Sequence, residues 1–255
     1  MYSLILLSIF LNSISELEAI NETEKKFNYV ITFHRIFPRF NLVCTGSAIT
    51  KRLAISAAHC FHNETIENIK ITSNRVYNPP FKFGSMHSIE KLIRNKNNKF
   101  NTRSGKHDII LVQVDRDLPN LARIPENHFS LRKGLNCETI GWQFDKMKYI
   151  QTNITERKTE DLKKIKTRVR STDWARRGDS GGPLVCPKDS DDFLVGILST
   201  GELSGENEYE SVFRHLLWIR SVMQENQIER NQNKSASNSP KIWLICNLIL
   251  NKWLL

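Results

Sequence analysis

The stretch that most constrains this chain is Gly178-Asp179-Ser180-Gly181-Gly182-Pro183. It holds one serine between two turns built on glycine. Glycine reaches backbone conformations closed to other residues, so N–H groups on either side of the serine can converge on one point. A serine hydroxyl is a weak nucleophile alone and needs a nearby base and a place for developing negative charge. The same six residues also read as an ordinary surface turn, because glycine and aspartate favour turns. Other segments decide between the two readings.

The first is Ala54-Ile55-Ser56-Ala57-Ala58-His59-Cys60, an apolar run ending in small residues and a histidine. A single histidine there is commonly structural. The second is Lys106-His107-Asp108-Ile109-Ile110-Leu111-Val112-Gln113-Val114, which places a carboxylate at the mouth of a buried strand. Asp108 is there poised to be desolvated and to orient an imidazole. The chain order His59, Asp108, Ser180 differs from the orders used by subtilisin-like and hydrolase-elbow enzymes.

Together these residues resemble the chymotrypsin-like serine peptidases, the trypsin family, from about residue 27 to about 219. Cys44-Thr45-Gly46-Ser47-Ala48-Ile49 is similar to the family's Cys-Gly-Gly-Ser-Leu-Ile strand, and Ala57-Ala58-His59-Cys60 to its histidine motif. Cys137-Glu138-Thr139-Ile140-Gly141-Trp142 resembles its Gly-Trp strand, Leu198-Ser199-Thr200-Gly201 its Ser-Trp-Gly segment, and Trp218-Ile219 its C-terminal helix. The resemblance implies a catalytic triad of His59, Asp108 and Ser180, with an oxyanion hole from the N–H groups of Gly178 and Ser180. It implies substrate contacts at Ser199 and Gly201 and disulfides Cys44–Cys60 and Cys137–Cys186. It implies an activation salt bridge from Asp179 to a new chain terminus. No cofactor and no metal are expected; the scattered cysteines lack zinc-site spacing.

The implied fold is all-β: two antiparallel six-stranded β-barrels followed by a C-terminal helix. Strand-like runs fall at 29–33, 42–49, 54–57, 109–114, 138–142, 184–186 and 193–199. A helical period covers 211–228, with Val212, Leu216, Ile219 and Met223 on one face. The domain plan is a signal peptide at 1–19, a peptidase domain at 20–229 with its barrel boundary near 118–129, and a linker and tail at 230–255.

Compartment signals agree. Residues 4–11 form an apolar run too short to span a bilayer, with Ser13-Ile14-Ser15 or Ala19 as cleavage sites. Two bridges and sequons at Asn21, Asn63, Asn153 and Asn233 fit a secreted, extracellular glycoprotein. Cys246 is left over in an apolar tail, and residues 230–241 read as disordered. The tail at 242–255 reads as a lipid-anchor signal, a helix packed on the body, or a membrane-surface segment. The net charge of +10 concentrates at 91–106 and 158–170. These segments read as solvated loops or as attraction for acidic partners. Nucleic acid is excluded as a partner, since no basic helix or stacking platform accompanies the charge. A protein or peptide substrate is expected, with inhibitor proteins as further candidate partners.

Departures from the family divide the function. The Ile-Val-Gly-Gly start of active members is absent, with Ile20 the nearest substitute. A family cysteine is replaced near Arg176-Arg177 and its partner after Gly201 is missing. The base of the specificity pocket falls at Trp174, beside Asp173. Two readings follow: a secreted endopeptidase, or a weak or inactive homologue that binds or regulates.

Overall fold

In the computed structural model the described residues are 25–73, 86–126, 130–143, 146–155, 164–169, 175–201 and 204–238. Twelve strands close into two antiparallel barrels of six. The first comprises β1 (Val30–Arg35), β2 (Asn41–Ala48), β3 (Leu53–Ser56), β4 (Ile69–Ser73), β5 (His87–Ile93) and β6 (Ile110–Val114), in spatial order 1-2-3-6-5-4. The second comprises β7 (Asn136–Gln143), β8 (Lys146–Ile154), β9 (Lys164–Val169), β10 (Pro183–Lys188), β11 (Asp191–Gly201) and β12 (Glu206–Ser211), in order 7-8-9-12-11-10. Closure leaves no exposed sheet edge to pair with another chain. The fold is that of the chymotrypsin-like peptidases.

Local chemistry fixes the turns that matter. Between β2 and β3, Thr50 Oγ1 accepts the N–H groups of Arg52 and Leu53 at 3.2 and 3.0 Å. The hairpin sets the register Ser47↔Ile55, and β3 then pairs with β6 from Leu53↔Gln113 to Ser56↔Ile110. In the loop before β6, Asn101 Oδ1 accepts the N–H groups of Arg103 and Ser104, both at 3.0 Å. Lys96, Lys99, Arg103 and Lys106 all face solvent in this loop.

β-Branched and aromatic residues fill the barrels. In the first, Phe33 meets Phe61 edge to face at 5.0 Å, and Ile55, Ile69, Ile71 and Leu111 are fully buried. Each such side chain contributes roughly 1.5–3 kcal/mol by leaving water. In the second, Leu184, Val195, Leu198 and Tyr209 pack around the buried Cys137–Cys186 bridge. A seam joins the barrels, where Phe27 and Val30 meet Ile140, Met147 and Val185. The Cys44–Cys60 and Cys137–Cys186 bridges span Cα separations of 6.2 and 4.4 Å.

The structure adds strands that the hydrophobic pattern did not reveal: β4, β5, β8, β9 and β12. β9 reads Lys-Ile-Lys-Thr-Arg-Val, so only alternate residues are apolar and its outer face is basic. The helix is also displaced. It begins at Leu216, because residues through Ser211 belong to β12, and it runs to Asn238 (α1, Leu216–Asn238). It therefore enters the polar segment read as disordered; residues 230–238 contain no helix-breaking glycine or proline. Among the described residues no helix is long and apolar enough to cross a membrane. The signal peptide, Ile20, Asp173, Trp174, Cys246 and the apolar tail lie outside the described residues.

Two expectations follow from the packing. Loss of the Cys137–Cys186 link, which closes a 49-residue separation, through the double change C137A/C186A should lower stability by roughly 2–5 kcal/mol in chemical denaturation. Tyr209 is fully buried, and desolvation pushes its phenol up to about 12 against the influence of Thr139, Thr167 and Asn207. A raised folded value gives stability that is complete below the unfolded value near 10 and is lost as pH climbs toward 12. Y209F should flatten that alkaline loss, measured as denaturation midpoints between pH 9 and 12.

Candidate active site

The pairing of β3 with β6 brings two distant segments to one end of the first barrel. Ser56 is the last residue of β3 and lies opposite Ile110 in β6. His59 follows on the 3-10 turn Ala58–Phe61, and Asp108 precedes β6 by two residues. Both therefore emerge at the same rim. His59 Nδ1–H donates to Asp108 Oδ2 at 2.7 Å, and the His59 backbone N–H donates to Asp108 Oδ1 at 2.8 Å.

Asp108 is only 2% exposed. A buried carboxylate must be met by donors or its desolvation cost is prohibitive. The second barrel supplies another: Ser199 Oγ–H, on β11, donates to Asp108 Oδ2 at 2.7 Å. Ser199 is itself buried, and its hydroxyl is committed to Asp108. Lys164 Nζ donates to the same hydroxyl at 3.3 Å. With an ionised acceptor on Nδ1, the neutral imidazole carries its proton there and leaves Nε2 as the basic nitrogen. The His59 side chain is 36% exposed, and Nε2 lies 3.9 Å from Cys60 Sγ.

The serine turn is anchored by the first barrel. Thr45 N–H donates to the Ser180 carbonyl at 2.8 Å, and Thr45 Oγ1–H donates to the Gly178 carbonyl at 2.7 Å. Gly181 N–H donates to Leu198 O at 2.8 Å. Gly181 has φ +82°, and any Cβ there would collide with Ser56 Oγ and the Thr45 carbonyl. Only glycine lets this turn settle against the strand that leads to His59. Gly178 has φ +103°, with Leu42 Cδ2 2.6 Å from where a Cβ would stand. Among the described residues, neither the Gly178 nor the Ser180 N–H donates a hydrogen bond to another protein group. Among the same residues, no hydrogen bond joins Ser180 to His59.

Asp179, 2% exposed, turns inward, and its Oδ2 accepts Arg176 N–H at 2.7 Å. Gly201 ends β11, and a Cβ on it would strike Ala175 and come within 2.9 Å of Asn207 Oδ1. Cys44 and Cys60 approach His59 closely enough for metal ligation, but both sulfurs are consumed by their disulfide.

Glu210 and His215 were not legible as site residues. Glu210 sits on β12 opposite Ile197, fully buried, and its Oε2 accepts Asp108 N–H at 3.3 Å. His215 Nε2–H donates to Glu210 Oε1 at 2.8 Å. Sequence alternation could not single it out, because Glu208 and Glu210 share one strand parity in the run Asn207-Glu208-Tyr209-Glu210-Ser211, and only the fold buries Glu210. Burial and Arg214 together hold the neighbouring His107 below the ordinary histidine value.

Comparison with known proteins agrees with the fold. The model of the Trypsin family matches residues 18–219. Sheep (Ovis aries) mast cell protease 3 is 24% identical over 72% of this chain and 79% of its own length. Human cathepsin G is 26% identical over 71% of the chain and 76% of its own length. Human tissue-type plasminogen activator is 27% identical over 74% of the chain, which spans only 41% of that protein. With twelve strands in two closed barrels and a family match over most of its length, the chain belongs to the trypsin family of serine peptidases.

Proposed function

We propose that the chain is a secreted serine endopeptidase. Ser180 Oγ attacks the scissile carbonyl, forming the C–O bond of an acyl-enzyme as the C–N bond breaks. His59 Nε2 takes the serine proton and returns it to the leaving amine. Asp108 holds the imidazole with its proton on Nδ1 and stabilises the imidazolium. The N–H groups of Gly178 and Ser180 receive the oxyanion. Water then hydrolyses the ester by the same steps reversed.

The observation that carries this reading is the buried Asp108 carboxylate, bonded to both His59 and Ser199. A carboxylate so placed is expensive for a protein that only needs a rigid fold. The uncommitted N–H groups of the serine turn, seated beside the histidine strand, lend further support. Secretion and glycosylation rest on the two disulfides, the N-terminal apolar run and the sequons, of which Asn63 lies on the exposed surface. Trp174 in place of an acid at the pocket base favours small or apolar residues before the cut over Lys or Arg.

A second reading, a weak or inactive homologue that binds or regulates, is favoured by one observation. Ser180 makes no hydrogen bond to His59 among the described residues. The Asp179 partner expected in an activated peptidase would come from a processed N-terminus.

Fluorophosphonate labelling separates the two readings. The mature chain should label at Ser180, and S180A should not; an unlabelled, folded wild-type chain favours the binding protein. D108N should reduce kcat by about 10⁴ while retaining the fold. S199A removes a hydrogen bond to a charge, about 1.5–3 kcal/mol, so kcat/KM on a peptide substrate should fall roughly ten- to hundredfold. An unchanged kcat/KM in S199A would show that Asp108 is held without Ser199.

A further inference from the structure

The peptidase reading leaves three titratable side chains beside Asp108 without a task. His107 precedes Asp108 in the loop, Glu210 lies on β12, and His215 lies on the 3-10 turn Phe213–His215 that follows. One donor atom from each falls within 4.8 Å of the other two. Glu210 and His215 are fully buried, and His107 is half-buried at the rim. The two imidazole rings meet edge to face with centroids 5.7 Å apart.

Burying a carboxylate and two imidazoles together has a physical cost that apolar residues of similar volume would avoid. The donor set itself indicates what such a cluster suits. Two imidazole nitrogens and one carboxylate oxygen form the kind of three-ligand set that holds Zn²⁺ tetrahedrally with a fourth position for water. Ca²⁺ and Mg²⁺ demand more oxygen donors than a single carboxylate offers. Zinc–ligand bonds of about 2.0–2.2 Å bring donors to roughly 3.3–3.5 Å from one another. Arg214 and Lys106 are the cationic groups that oppose a cation near His107.

We propose that His107, Glu210 and His215 bind one Zn²⁺-class ion, and that this site is coupled to Asp108 through Glu210. The coupling is structural: Glu210 Oε2 accepts the Asp108 N–H while Oε1 faces His215. A divalent cation on Glu210 draws on that carboxylate and puts positive charge beside Asp108. The regulatory half of the proposal rests on the peptidase reading: the cation weakens the stabilisation of imidazolium at His59 and slows acylation.

The binding half is tested without substrate. The full chain, stripped with a chelator, is titrated with Co²⁺ by absorption spectroscopy and with Zn²⁺ by calorimetry. One ion per chain is expected, with intense tetrahedral Co²⁺ bands that Zn²⁺ abolishes. H107A, at the half-exposed rim, should weaken binding at least about tenfold, by analogy with losses on perturbing metal shells. H107Q serves the same purpose should H107A fail to fold, as judged by its thermal transition. H62A removes an exposed histidine outside the cluster and should bind like the unsubstituted chain. Absence of binding, equal binding by H107A and H107Q, or an equal loss in H62A would overturn the site. Fluorophosphonate labelling then tests the coupling: Zn²⁺ should slow labelling of the unsubstituted chain and not of H107A. Binding without slowed labelling overturns the coupling. A metal-free chain that does not label overturns the peptidase reading, while the titrations still decide the site.

Discussion

The structure depends on one buried carboxylate. Asp108 takes two hydrogen bonds from His59 in the first barrel and one from Ser199 in the second, while its own N–H goes to Glu210 of the second barrel. It is thus tied into both halves of the molecule. An ionised group at this depth survives only when donors replace its lost water. Meeting that requirement positions β6, the histidine turn, β11 and β12 relative to one another. The apolar seam of Phe27, Val30, Ile140, Met147 and Val185 supplies the non-directional attraction between the barrels, and Asp108 supplies the direction.

The serine turn is held by a different principle. Ser180 is not pinned through its own side chain but through its neighbours, by Thr45 on the carbonyls of Gly178 and Ser180 and by Gly181 against Ser56. Substituting Thr45 for a family glycine therefore has a visible use here: its hydroxyl bridges β2 to the turn. Among the described residues, this backbone anchoring leaves the Ser180 hydroxyl and the Gly178 and Ser180 N–H groups without a hydrogen bond to protein.

Behind the site the chain departs furthest from a simple scaffold. A buried glutamate and a buried histidine, Glu210 and His215, lie beside Asp108, and Lys164 touches Ser199. Titratable groups of both kinds thus lie close to the Asp108 carboxylate. The electrostatics of the His59–Asp108 pair are accordingly set by residues far from it in sequence.

The sequence by itself determined a good part of this. Short motifs around His59, Asp108 and Ser180, and the four bridging cysteines, are local strings whose chemistry is carried by residue type and order. Strands buried on both faces, such as β3 and β6, announce themselves as continuous apolar runs. Tertiary structure alone decided the rest. β9 and β12 are mostly polar or charged and become strands because each completes a closed ladder with its neighbours. Residue 211 reads as helix from its period and is strand because β12 pairs Ser211 with Gly196. Ser199 reads as a substrate contact and Glu210 as a solvated polar residue until strand pairing across the second barrel turns both toward Asp108. Hydrogen-bond partners separated by 91 and 102 residues leave no periodic trace in a sequence. Such partners are specified by the register of strands that only the closed barrels define.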